Sequence, residues 1–300
     1  MNTPSADLTI IELVSGSSSA RICPELGSQL ISWNVNGEEL IHLEADFQQL
    51  WPDNNLWGNP ILFPNPGSCN IDNRELHWRD GTKILPMAFH GFGDKLPWKL
   101  QSQSAERVTV VLEASEATRP FFPYDFTLTQ TIRLTPSAIE YTLTAINHSA
   151  HPMPFGVGWH PYFKRLRNAE GHPRAWRVAM PPGRRWVNDG IFESYPGGTI
   201  SSDDRLGIGS VLVFDHEKDV TMHTDDPSLG SLVISTKNFA APGKPYVWVL
   251  WNIESGADYL CVEPWSCPPN VLNSPPYQYH VKPESPQTVE MRFERITAKP

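Results

Sequence analysis

Apolar and polar residues alternate with a period of two along much of this chain, the spacing of β-strands that bury one face. Phe126, Leu128, Gln130, Ile132 and Leu134 interleave with Thr127, Thr129, Thr131 and Arg133. The next run repeats the pattern, with Ile139, Tyr141, Leu143 and Ala145 set against Glu140, Thr142 and Thr144. The connection Thr135-Pro136-Ser137-Ala138 is short enough to join the two as an antiparallel hairpin. Similar short segments occur at Arg107 to Glu113, Val211 to Phe214, Ser231 to Ser235, Tyr246 to Trp251, Tyr259 to Glu263 and Thr288 to Glu294. Helical spacing is confined to Glu44 to Trp51, where Phe47, Leu50 and Trp51 share a face and Pro52 stops the run.

With 29 prolines and 20 glycines placed between many short strands, the pattern predicts an all-β fold of two packed antiparallel sheets joined by long loops. No internal repeat or linker divides the 300 residues, and all-β units of roughly 200 to 250 residues commonly form one domain, so residues 1–300 are expected to fold as one. A formal net charge of -9 leaves no basic stripe to meet phosphate, which argues against a nucleic-acid partner. The first residues lack a basic, apolar leader, and no apolar run approaches the roughly 20 residues of a membrane span. A soluble, cytoplasmic protein without a membrane partner is expected. Cys23, Cys69, Cys261 and Cys267 show no paired-cysteine spacing, so free apolar thiols are expected, with neither a metal nor a disulfide.

Three segments concentrate chemistry. Gly158-Trp159-His160-Pro161-Tyr162-Phe163, His90-Gly91-Phe92 and Val262-Glu263-Pro264-Trp265 each set a titratable side chain among aromatics and next to Pro or Gly. Such neighbours hold the chain extended or turned and present the side chain at a strand end. Glu263 ends an apolar run, where a carboxyl must be hydrogen-bonded or have its pKa raised by desolvation. A carboxylate and an imidazole are the minimum equipment for general acid/base work near neutral pH. Taken singly, each has a plain structural reading: a satisfied histidine, or a carboxylate emerging into solvent. Trp159 and Trp265 serve equally well as core residues or as faces on which a sugar ring stacks.

The whole set resembles the aldose 1-epimerase family, the galactose mutarotases and their relatives. The resemblance rests on Phe63-Pro64-Asn65-Pro66, on His90-Gly91-Phe92 followed by Leu96-Pro97-Trp98, and on Tyr124-Asp125-Phe126. It continues through Pro154 to Phe163, Phe214-Asp215-His216 and Cys261-Val262-Glu263-Pro264-Trp265, and so spans most of the chain. It implies a large antiparallel β-sandwich that interconverts the α and β anomers of a free monosaccharide without a cofactor. By the same resemblance, Glu263 is the general base on the anomeric hydroxyl and His160 the general acid toward the ring oxygen. His90 orients the sugar, and Asp215 binds its hydroxyls. Because protons move at O1 and O5, Glu263 and His160 are expected on opposite sides of a ring-sized gap, with His90 close by.

The chain also departs from the family. Asn70 stands where many members carry an arginine, and Gly93-Asp94 follows His90-Gly91-Phe92 where hexose-6-phosphate 1-epimerases continue with Ala-Arg. A phosphate prefers arginine forks and is repelled by a carboxylate, so a neutral aldose is the expected substrate. Arg74 is the residue that would substitute if the sugar were phosphorylated. A hexose-6-phosphate epimerase and a non-catalytic sugar-binding protein on the same scaffold remain the alternatives.

Overall fold

A computed structural model describes residues 8–53, 56–188, 191–206, 210–214, 217–239 and 243–297. Every segment marked by period-two alternation is a strand: Arg107–Glu113, Phe126–Leu134, Ala138–Asn147, Ser210–Phe214, Ser231–Lys237, Tyr246–Trp251, Tyr259–Trp265 and Gln287–Ile296. The hairpin forms as the alternation requires, with Phe126 opposite Asn147 and Leu134 opposite Ile139. One four-residue helix, Phe47–Leu50, is the only α-helix among the described residues, and the chain is extended again at Trp51, before Pro52. No helix among the described residues is long and apolar enough to cross a membrane.

Two large antiparallel sheets carry the fold, which is a β-sandwich. One has nine strands and places Gln287–Ile296 between Ala138–Asn147 and Ser231–Lys237, so the last strand ties the two halves of that sheet together. The other has eight strands, ordered Ile191–Tyr195, Gly183–Asn188, Ser210–Phe214, Tyr246–Trp251, Tyr259–Trp265, Gly158–Trp159 and Ile61–Leu62, with Tyr162–Lys164 also paired to Tyr259–Trp265.

Strand parity divides the eight-stranded sheet into two faces. Tyr246, Trp248, Leu250, Leu260 and Val262 join Leu128, Ile132, Tyr141, Leu143 and Phe293 in the main core. The alternate residues Val247, Val249 and Trp265 belong to a separate apolar cluster with Leu62, Val213 and Trp186. Tyr259–Trp265 is buried along its entire length, so its side chains are shielded on both faces. The sequence reading ends this strand at Glu263; it runs two residues further, which puts the carboxyl inside the sheet.

Candidate active site

The outer face of the eight-stranded sheet floors a cavity of about 940 Å³ whose lining includes His90, His160, Glu263, Trp265, Asp94 and Lys95. Glu263 reaches it because Cys261, Glu263 and Trp265 share one face of their strand while Leu260 and Val262 fill the core. His160 sits in the two-residue gap between the Gly158–Trp159 and Tyr162–Lys164 strands, with its backbone N–H donating to the Pro60 carbonyl at 3.0 Å. Gly158 lies opposite Trp265, and a Cβ there would come within 2.7 Å of the Trp265 ring. Glycine is therefore what lets the indole settle beside His160 and Glu263.

His90 is placed by a turn. The Phe63–Pro66 segment and the His90-Gly91-Phe92 segment, far apart in sequence, meet through a bridge between Phe63 and Gly91. Gly91 has φ +75°, and a Cβ would fall 2.1 Å from the Phe63 carbonyl oxygen. His90 itself is left-handed, at φ 64°, a costly conformation for a residue with a side chain that persists only where the surroundings impose it. The anchor below is aromatic: Phe63 packs against Phe92, Phe122 and Phe126 at centroid distances of 5.6, 5.8 and 5.4 Å.

The three side chains converge. His160 Nε2 lies 3.4 Å from Glu263 Oε1, and the indole N–H of Trp265 donates to Glu263 Oε2 at 3.1 Å. The His90 and His160 rings meet edge to face at 5.4 Å, and His90 and Trp265 do so at 5.6 Å. His160 stacks on Tyr162 at 4.7 Å with only 8° between the planes. The Gly67 N–H donates to His90 Nδ1 at 2.9 Å, which leaves the His90 proton on Nε2.

Burial governs the ionisation of this cluster. It pushes the Glu263 carboxyl well up, opposed by the Trp265 hydrogen bond. It lowers His160 to about 3 and holds His90 well below the usual histidine value. Each shift favours the neutral form, so burial favours the form of the Glu263–His160 pair with one proton, on the carboxyl. A carboxylate beside an imidazolium carries the same single proton, and one transfer across the 3.4 Å contact interconverts the two forms. Cys261 Sγ, His160 and Glu263 offer donor atoms within 4.8 Å of one another. Burial also pushes the Cys261 thiol up. All four cysteines are buried and free.

The structure separates the residues singled out from the sequence. Glu263, His160, His90 and Trp265 meet at the cavity. Trp159 does not line it: the indole lies in the core, 5.9 Å from Tyr141, and its N–H donates to Gln130 Oε1 at 3.3 Å. Neighbouring residues of an extended segment face opposite ways, so Trp159 turns inward where His160 turns outward. Asn70 and Arg74 also lie outside the lining, in the small exposed hairpin Asn70–Ile71 and Arg74–Glu75. Asn70 has structural work there, accepting from the Leu76 N–H at 3.1 Å and taking Asn270 Oδ1 on its own N–H at 2.9 Å. Gly67 and Ser68 of the preceding loop face the cavity instead. Asp215 lies outside the described residues. The expected ring-sized gap between Glu263 and His160 is also absent, since the two are in contact.

Lining residues not identified from the sequence are Tyr162, Trp251, Trp186 and Lys95. Tyr162 was within reach, because it stands two residues after His160 and shares its face. Trp251 and Trp186 come from strands whose pairing no local pattern reveals.

The family model described as aldose 1-epimerase matches residues 9–173. A Salmonella typhimurium protein provisionally named as a glucose-6-phosphate 1-epimerase is 30% identical over 115 residues, 34% of this chain and 32% of its own length. An uncharacterised Escherichia coli protein, YphB, is 34% identical over 74 residues, 25% of this chain and 24% of its own. The matched regions thus span a quarter to a third of these curated relatives. Among solved structures, a galactose mutarotase-like protein from Lactobacillus casei superposes with a TM-score of 0.76 at 22% identity, covering 95% of this chain and 99% of the other. A galactose 1-epimerase from Lactobacillus acidophilus superposes with a TM-score of 0.73 at 16% identity, covering 100% and 97%. The sandwich is shared along its whole length with these structures, and the match over residues 9–173 shows that this chain belongs to the aldose 1-epimerase family.

Proposed function

We propose that this chain interconverts the α and β anomers of a free, neutral aldose by general acid/base ring opening. The observation that carries the reading is the contact between His160 Nε2 and Glu263 Oε1 on the cavity wall. O1 and O5 of a pyranose are both bonded to C1, so an acid and a base side by side serve both oxygens from one edge of the ring. With the pair in its carboxylate–imidazolium form, Glu263 removes the proton from the anomeric hydroxyl and His160 delivers one to O5. The C1–O5 bond breaks as the C1=O1 carbonyl forms, rotation about C1–C2 exposes the other face, and reclosure returns both protons with the roles reversed. His90, with its proton on Nε2, donates to the sugar and orients it, and Trp265 offers its face to the ring C–H groups.

The kinship with the Salmonella protein favours a second reading, in which the sugar carries a 6-phosphate. Against it, the cavity wall carries Asp94, and Arg74 sits outside the lining, so Arg185 is the arginine left to such a phosphate. NMR exchange or polarimetry on freshly dissolved glucose and galactose, with and without the protein, tests the proposal. Anomeric equilibration faster than in buffer is the expected result. Sugar binding with equilibration at the buffer rate would make the protein a binding module.

A further inference from the structure

Beside the acid/base pair, the cavity wall holds a second pair of charges. Lys95 Nζ donates to both oxygens of the Asp94 carboxylate, at 2.9 and 3.1 Å. The Asp94 side chain is 4% exposed and that of Lys95 28%, so the carboxylate is sunk in the wall while the ammonium faces the cavity. Two of the three ammonium donors are spent on Asp94, and the third remains for a ligand.

The backbone beneath is tightly held. The Trp51 indole N–H donates to the Asp94 carbonyl at 2.8 Å, and the Trp98 indole N–H donates to the Gly93 carbonyl, also at 2.8 Å. Gly27 has φ +77° and packs so closely that a Cβ would lie 2.1 Å from the Asp94 carbonyl oxygen. A buried ion pair is a poor source of stability, because desolvation offsets most of the attraction. Two tryptophans and a left-handed glycine nevertheless fix this one at the rim of the site, the arrangement expected of a recognition element supported from behind. The pair lies close enough to the acid/base groups that the Lys95 charge is among the lesser causes, behind burial, that lower His90 and His160.

Resting on the aldose-epimerase reading above, we infer that the Asp94–Lys95 pair selects substrates by charge. A neutral hydroxyl bridges the pair, donating to the carboxylate and accepting from the ammonium, while a phosphorylated sugar is turned away because the Asp94 carboxylate directly behind the ammonium neutralises it and repels a phosphate that approaches. The Lys95 ammonium is thus committed, and its positive charge does not recruit anions, which leaves Arg185 as the other Lys or Arg side chain on the lining.

The test compares glucose with glucose 6-phosphate as kcat/KM by NMR exchange, or as Kd if turnover is absent, in folded wild type and two variants. Asp94→Asn keeps the shape but frees the ammonium, so the ratio of 6-phosphate to glucose rises about tenfold or more, as removal of a like charge from a desolvated contact predicts. Lys95→Gln retains a donor to Asp94 but removes the cation, so the ratio falls below that of wild type. Wild type preferring the 6-phosphate, or ratios within twofold of one another in all three proteins, overturns the inference. Binding of glucose without acceleration of its anomerisation overturns the epimerase reading alone, and the Kd ratios still decide the role of the pair.

Discussion

His160 and Glu263 are cross-strand neighbours. Gly158 pairs with Trp265 and Tyr162 with Cys261, so the antiparallel register sets the residue two on from Gly158 against the residue two back from Trp265. Opposite side chains in such a pair start roughly 4.5–5.5 Å apart at Cβ, close enough for the observed 3.4 Å contact between Nε2 and Oε1. The proposed base therefore stands on a strand, and the proposed acid in a two-residue gap that paired strands clamp on both sides.

Glu263→Gln keeps the shape and an acceptor oxygen but cannot take a proton. It is expected to lower the epimerisation rate by about 10² to 10⁴ with little change in sugar affinity, and His160→Asn to act similarly. His90→Asn is expected to weaken binding along with rate. Steady-state kinetics with a separate Kd measurement checks all three, and unchanged rates in Glu263→Gln would remove that residue from the chemistry.

Trp265→Phe keeps an aromatic face while deleting the donor to Glu263 Oε2. That hydrogen bond is what opposes the burial-driven rise of the Glu263 carboxyl. Without it the carboxyl rises further, so the alkaline limb of the pH–rate profile, where the pair loses its one proton, should move to higher pH, with a rate loss of about tenfold near neutrality as the carboxylate–imidazolium form becomes rarer. A profile that stays in place while the rate falls would assign Trp265 to sugar stacking alone.

Stability should depend on pH in two opposite ways at this site. Below pH 6.5 the unfolded chain protonates position 160, whereas folded His160 resists protonation until about pH 3. Stability therefore falls as the pH drops through that window, by up to about 1.4 kcal/mol per unit, and His160→Asn should flatten the slope while His90, also lowered, leaves a remainder. Glu263 acts the other way: folded, it keeps a proton that the unfolded chain loses above pH 4.5, so its contribution declines as the pH rises. Glu263→Gln should be more stable than wild type above neutrality in urea titrations. Parallel curves for wild type and both variants would contradict these assignments.

The single-domain expectation makes a structural prediction. Gln287–Ile296 lies between Ala138–Asn147 and Ser231–Lys237, so removing it splits the nine-stranded sheet and exposes both flanking edges. A chain ending before Gln287 is expected not to fold, and the full chain to unfold in one transition. Limited proteolysis that releases two stable halves would show otherwise.

The strands and their faces were legible in the sequence because side chains on a strand alternate strictly, and a half-buried strand writes that alternation into its composition. Phe126–Leu134 and Ala138–Asn147 needed nothing more. Glu263, His160 and His90 were legible as titratable groups in aromatic, Pro- and Gly-bounded segments. What the chain did not disclose locally was which strands pair and which way each neighbouring residue faces. Trp159 went to the core and Trp251 to the cavity, and Asn70 and Arg74 were left on an outer hairpin, for reasons of register and strand order. The contact between His160 and Glu263, and the pairing of Asp94 with Lys95 at the rim, are likewise decisions of the tertiary structure. The first depends on residues far apart in the chain being clamped in one register; the second joins sequence neighbours, and what the tertiary structure decides is their place on the cavity wall, which no local spacing encodes.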